Sequence, residues 1–178
     1  ADRQPEFTQL DLEMSFVDRE DIPQLTEGLF TALVPAVSDK KIQRTPFPRL
    51  TYREAMARYG SDKPDLRFDL PLVDLTDLAS ETEFQVFRTV AQAGGAVRGL
   101  RAPGCAGYTR KQIQELTDLA TKNGAKGLVW IARTADEVRS PIGKFVSEGQ
   151  MQAIIERMGV QVGDLGLIVA DQFVPAST

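Results

Sequence analysis

Three stretches of this chain carry a complete start and stop signal for a helix, and the apolar runs between them are too short to be helices themselves. Thr51 with Glu54, Thr109 with Gln112, and Ser147 with Gln150 each place a hydroxyl three residues before a side chain able to reach back to it. That is the capping-box arrangement, which satisfies two orphan backbone donors at once. Each helix then ends at a glycine, Gly60, Gly124 and Gly159 in turn, a residue free to take the left-handed conformation that closes a helix. Ile113, Leu116, Leu119 and Ala120 line one face of the second helix, and Met151, Ile154, Ile155 and Met158 line the third. Residues 84–90, 96–100, 127–133 and 165–170 read as short strands, the first two separated by a turn at Gly94-Gly95. Helices alternating with strands in this way predict a small α/β sandwich.

The N-terminal part is patterned differently. Over residues 7–17, Thr8, Leu10, Leu12, Met14 and Phe16 alternate with Phe7, Gln9, Asp11, Glu13 and Ser15. This period of two predicts a half-buried strand. Asp18 is then expected to cap a helix in which Ile22, Leu25, Leu29 and Leu33 keep helical spacing up to Pro35. A loop with Pro46 and Pro48 follows. Residues 61–67 form a polar turn around Pro64, and a domain boundary is expected there, giving domains 1–68 and 69–178.

Several chemistries are excluded by residue type. The chain has no histidine, so neither a Ser-His-Asp triad nor a His-ligated zinc site can be built from it. Its one cysteine, Cys105, allows no disulfide and reads as a small residue in a turn. The net charge of −4 lacks the basic excess of a freestanding nucleic-acid binder. No apolar run is long enough for a transmembrane helix, and a cytoplasmic protein is expected. The chain opens without methionine directly into a polar turn, from which a truncated start is expected.

On the predicted first strand, Gln9, Asp11 and Glu13 would project from one face about 7 Å apart. Such a row suits an ammonium group. Arg3, Gln4 and Glu6 ahead of it suit phosphate and base-edge contacts, and Phe7 offers an aromatic face to a purine. Alternation of this kind is also what any half-exposed antiparallel strand shows. In the second half, Arg110, Lys111, Lys122 and Lys126 are interspersed with Glu115 and Asp118, as expected of a solvated helix face, and Trp130 reads as core.

The run ADRQPEFTQLDLEMSF at residues 1–16 resembles the second half of motif 2 of bacterial-type aspartyl-tRNA synthetases, which are class II enzymes. RYGSDKPDLR at residues 58–67 is similar to the segment that leads into their insertion domain, and the order and separation of the two runs also match. From about Phe68 onward the chain resembles that insertion, a GAD-type domain shared with a tRNA-dependent amidotransferase subunit. The resemblance implies an α+β protein: part of an antiparallel-sheet catalytic domain (1–68) followed by a small α/β sandwich (69–178). It implies an enzyme that activates L-aspartate with ATP and Mg2+ to aspartyl-adenylate and passes it to the 3′ end of tRNA(Asp), working as a homodimer. Gln4 and Phe7 match ATP-contacting positions, Gln9 and Asp11 positions around the aspartate ammonium group, and Asp2 and Arg3 the loop that meets the tRNA acceptor end. Glu13 matches a supporting position.

Catalysis of this kind rests on positioning and charge stabilisation, so the lack of histidine is no objection. The arginine that the resemblance places on the α-phosphate falls just before Ala1. Motif 1, motif 3, the magnesium ligands and the anticodon-binding domain are also outside the chain. The 178 residues by themselves are therefore expected to be inactive in aminoacylation. The competing reading is a non-catalytic GAD-type module that contacts tRNA or a protein partner.

Overall fold

The computed structural model describes residues 6–172, which fall into two compact units, Ala1–Arg49 and Leu50–Thr178. The first unit is built around one helix, α1 (Asp21–Val37). Its start differs from expectation. Glu20 occupies the N-cap position, while the Asp18 N–H donates to the Asp21 carboxylate at 2.7 Å and the Asp21 N–H returns a bond to the Asp18 carbonyl. Its end differs too. Pro35 lies inside the helix, which continues to Val37 until Ser38 turns its N–H and hydroxyl onto the Val34 carbonyl. A proline within the last turn removes one internal hydrogen bond without halting the chain. The loop after α1 is tied back by Glu27, whose carboxylate accepts from the Phe47 N–H and pairs with Arg49 at 3.0 Å.

The strand expected over residues 7–17 is not formed: among the described residues this segment carries no strand. A strand needs a neighbour to take its N–H and C=O groups, and the sheet of this chain lies wholly within residues 73–171. Phe16 also adopts φ 59°, a left-handed backbone that breaks any extended run.

In the second unit the three capping boxes form as read. The first starts α2 (Tyr52–Tyr59), which Gly60 closes at φ 66°. The short strand β1 (Val73–Asp74) and helix α3 (Thr76–Ser80) follow. Next comes α4 (Gln85–Gln92), where a strand was expected. Phe84, Phe87 and Val90 recur every three residues, which is helical spacing, and Phe87 turns into the core with Phe84 edge-on to it at 5.0 Å. Then come β2 (Ala96–Ala102), α5 (Arg110–Lys122) on its Thr109 cap, β3 (Val129–Arg133), β4 (Val138–Arg139), α6 (Glu148–Met158) on its Ser147 cap, and β5 (Leu165–Asp171). The strands make one antiparallel sheet in the order β1-β2-β5-β3-β4.

Both faces of the sheet are covered. Val97, Ile131 and Ile168 on one face pack against Leu75, Phe87 of α4, and Ile154, Ile155 and Met158 of α6, all of them buried. Removing each such side chain from water contributes roughly 1.5–3 kcal/mol. On the other face Leu165, Leu167, Ala132 and Trp130 meet Ile113 and Leu116 of α5. Gly99 and Gly166 let α6 lie this close. A Cβ at either would stand 2.9–3.0 Å from the Met158 methyl, and one at Gly99 would also meet Leu75.

Candidate functional site

The residues singled out ahead of α1 sit on irregular, exposed backbone. Phe7 is 69% exposed, and Gln9, Asp11 and Glu13 are exposed as well. Asp2, Arg3 and Gln4 lie outside the described residues. The structure thus shows an aromatic ring, an amide and two carboxylates along one short stretch, accessible to solvent. It does not gather them into a pocket with any other part of the chain. Leu10, Leu12 and Met14, the apolar partners of the alternation, are exposed too.

The turn over residues 61–67 is held by its own charges. The Arg67 guanidinium spans both oxygens of Asp65, its Nε donating at 2.8 and 3.1 Å, and the Asp65 carboxylate also accepts the Arg67 N–H at 3.0 Å. These bonds favour the carboxylate form and lower the Asp65 pKa to about 2. The chain then returns to α2, where the Leu72 N–H donates to the Arg58 carbonyl at 2.6 Å.

That return closes one side of a pocket in the second unit, a feature the sequence gave no sign of. Its volume is about 350 Å3. Tyr59 of α2 and Leu72 form one wall, Leu116 and Leu119 of α5 the other, and Leu100 and Leu167 of the sheet the floor. Arg98 of β2 reaches into it from the sheet, only 8% exposed, with its Nη1 3.4 Å from the Asp74 carboxylate of β1. The other oxygen of Asp74 accepts from the N–H and hydroxyl of Thr76, and the Thr76 hydroxyl in turn accepts the Val97 N–H. The pocket is therefore apolar, with one cation on its inner surface held by a braced carboxylate.

The remaining charged groups act within the framework. Arg101 donates to the carbonyl of Gly159, and Arg133 to that of Val160, at and just past the end of α6 where carbonyls lack helical partners. Asp164, buried, accepts from the N–H groups of Gly104 and Gln161. Asp171, also buried, pairs with Lys126 at 3.0 Å; that ammonium and the Gln172 N–H hold its carboxyl below the ordinary range. Cys105 lies in its turn, with Sγ 3.4 Å from the Pro103 carbonyl. Among the described residues no group of His, Cys, Asp and Glu side chains is arranged to hold a metal ion, and no helix is long and apolar enough to cross a membrane.

An antiparallel sheet sandwiched between α5 and the α3–α4–α6 layer is the fold of a defined family. Residues 87–178, more than half of the chain, match the GAD domain, and the chain belongs to that family. The similarity to individual proteins extends further. All 178 residues align at 52% identity with the aspartate–tRNA(Asp/Asn) ligase of Moorella thermoacetica, covering 30% of that protein. The enzyme of the same name from Syntrophomonas wolfei is 52% identical over 172 residues, and the aspartate–tRNA ligase of Clostridium novyi 48%, each with 29% of its length covered. The chain thus spans about a third of the curated relatives it matches.

Proposed function

We propose that the chain is a section of an aspartate–tRNA ligase. The observation that carries this reading is similarity at about half identity along the whole chain, including residues 1–86, which precede the GAD match. A GAD module used only as a contact surface would leave that upstream similarity without a purpose. In this reading residues 1–68 belong to the catalytic domain and 69–178 form the inserted domain. The whole enzyme takes L-aspartate, ATP and tRNA(Asp), works with Mg2+ as a homodimer in the cytoplasm, and draws its magnesium ligands from outside these residues.

Within the section, Gln4 and Phe7 contact ATP, Gln9 and Asp11 receive the ammonium group of aspartate, and Asp2 and Arg3 meet the acceptor end of the tRNA. The exposure of Phe7, Gln9 and Asp11 supports this, since each is accessible to a substrate. The carboxylate of Asp11 supplies charge to the α-ammonium, and Phe7 a flat apolar face to adenine. Neither residue transfers a group. Their work is orientation, which lowers the barrier by pre-paying the entropy of alignment.

Aspartate-dependent ATP–pyrophosphate exchange tests the reading. The 178 residues alone are expected to give no turnover above blank. A full-length ligase containing this section is expected to exchange, and Asp11→Asn in it to lower kcat/KM about 100-fold, the scale of losing one well-placed electrostatic contact. Exchange that is unaltered by Asp11→Asn removes the assigned role. Failure of the full-length protein to exchange with aspartate removes the function.

A further inference from the structure

We propose that the pocket between α5, the sheet and the α2–β1 connection binds a small amphiphile with an aliphatic body and a single carboxylate. The inference is independent of the ligase reading and uses no residue of the first unit. Its volume, about 350 Å3, lies in the range of small-molecule sites, roughly 300–1,000 Å3. The walls are almost wholly aliphatic, with leucines contributed by α5, the sheet and the segment before β1. Such walls select an apolar body.

Charge selects the rest. Among the described residues that line the pocket, Arg98 carries the one formal charge. Its guanidinium is held by Asp74 through Nη1, yet a guanidinium has five N–H donors in a planar fork and can serve two carboxylates together. Asp74 remains braced by Thr76 on the β1 side, so a ligand carboxylate would approach from the pocket side without displacing it. In surroundings this poor in water an anion gains more from a cation than it would in solvent, whereas a second cation would be repelled. A neutral molecule of the same shape would gain only the apolar contact. Leu119, 57% exposed, leaves the pocket open to solvent along α5.

The test compares octanoate with 1-octanol, two probes of equal chain length that differ in charge. Each is titrated into the full chain while the leucine methyl groups are followed by NMR. Octanoate is expected to shift the Leu100, Leu116 and Leu167 methyls saturably, with a Kd at least tenfold lower than that of octanol. Arg98→Met is expected to erase the difference between the probes. Ala120→Phe, which fills the pocket from α5 and leaves the Arg98–Asp74 pair in place, is expected to abolish both shifts while the rest of the spectrum keeps its dispersion. Equal affinity for the two probes overturns the proposal. So do shifts confined to the α1 leucines Leu25, Leu29 and Leu33, or octanoate binding that survives Ala120→Phe.

Discussion

α1 and α6 are both amphipathic helices, yet they stand in opposite conditions. α1 is the longer, with Ile22, Leu25, Leu29 and Leu33 in register along one side, and none of its 17 residues is buried. α6 has 11 residues, and Ile154, Ile155 and Met158 are all sealed against the sheet. Apolar periodicity is equally clear in the two sequences. What differs is the presence of a surface to receive it. Most helical stability in proteins comes from packing an apolar face rather than from propensity, so the same pattern is structural in one unit and unspent in the other.

Three experiments would break or sharpen this contrast. The largest effect is expected from cutting the second unit at the start of the GAD match. Residues 87–178 lack Leu75 and Ala79, which belong to the buried cluster, and β1, which covers the edge of β2. That piece is expected to lose cooperative unfolding and NMR dispersion, whereas residues 50–178 keep both. If the shorter piece folds as well, the second unit does not depend on what precedes the match. Next, Ile154→Ala is expected to destabilise by about 2–5 kcal/mol in urea titration, through lost burial and the cavity left behind. Leu29→Ala in α1 is expected to cost under about 0.5 kcal/mol, as at an exposed site. Similar losses at the two positions would mean that α1 is packed after all.

The smallest effect concerns Asp171. Its carboxyl is depressed by Lys126 and the Gln172 N–H, so its contribution is present above the unfolded carboxylate value of about 3.9 and is lost as pH falls through the folded value. Because Lys126 is mostly exposed, that contribution is no more than about 1 kcal/mol. Asp171→Asn should therefore unfold more easily than the parent at pH 7, with the gap closing below about pH 4. A gap that widens with acid would contradict the assigned pair.

Much of the second unit was legible because its signals are local. A capping box and a terminal glycine lie within one helix, and α2, α5 and α6 appear where those residues put them. The strands β2, β3 and β5 were also found, since each is a short apolar run between turns. What escaped depends on distant partners. α4 was taken for a strand because a short apolar run has too few turns to reveal its period, and β1 and β4, two residues each, exist only through their neighbours. The pocket is of the same kind, since Tyr59, Arg98 and Leu116 meet only when the sheet forms. The proposed substrate residues became readable through the family's sequence pattern. Exposed on irregular backbone, Phe7, Gln9 and Asp11 carry no geometric mark of a site within these 178 residues.

The strand order has a bearing on how the domain is made. β5 is the last of the strands in sequence but sits in the middle of the sheet, pairing along its full length with β2 and over four residues with β3. As the chain leaves the ribosome, β2 and β3 emerge first and have no shared partner, and Ile131 and Val97 wait without their cover. Cooperative closure has to await residues 165–171, about 70 positions after β2 begins. Synthesis of this domain therefore passes through an interval with two unpaired strand edges, the species most open to wrong pairing or to a chaperone. Among the described strands, the one made last completes the sheet by closing its centre.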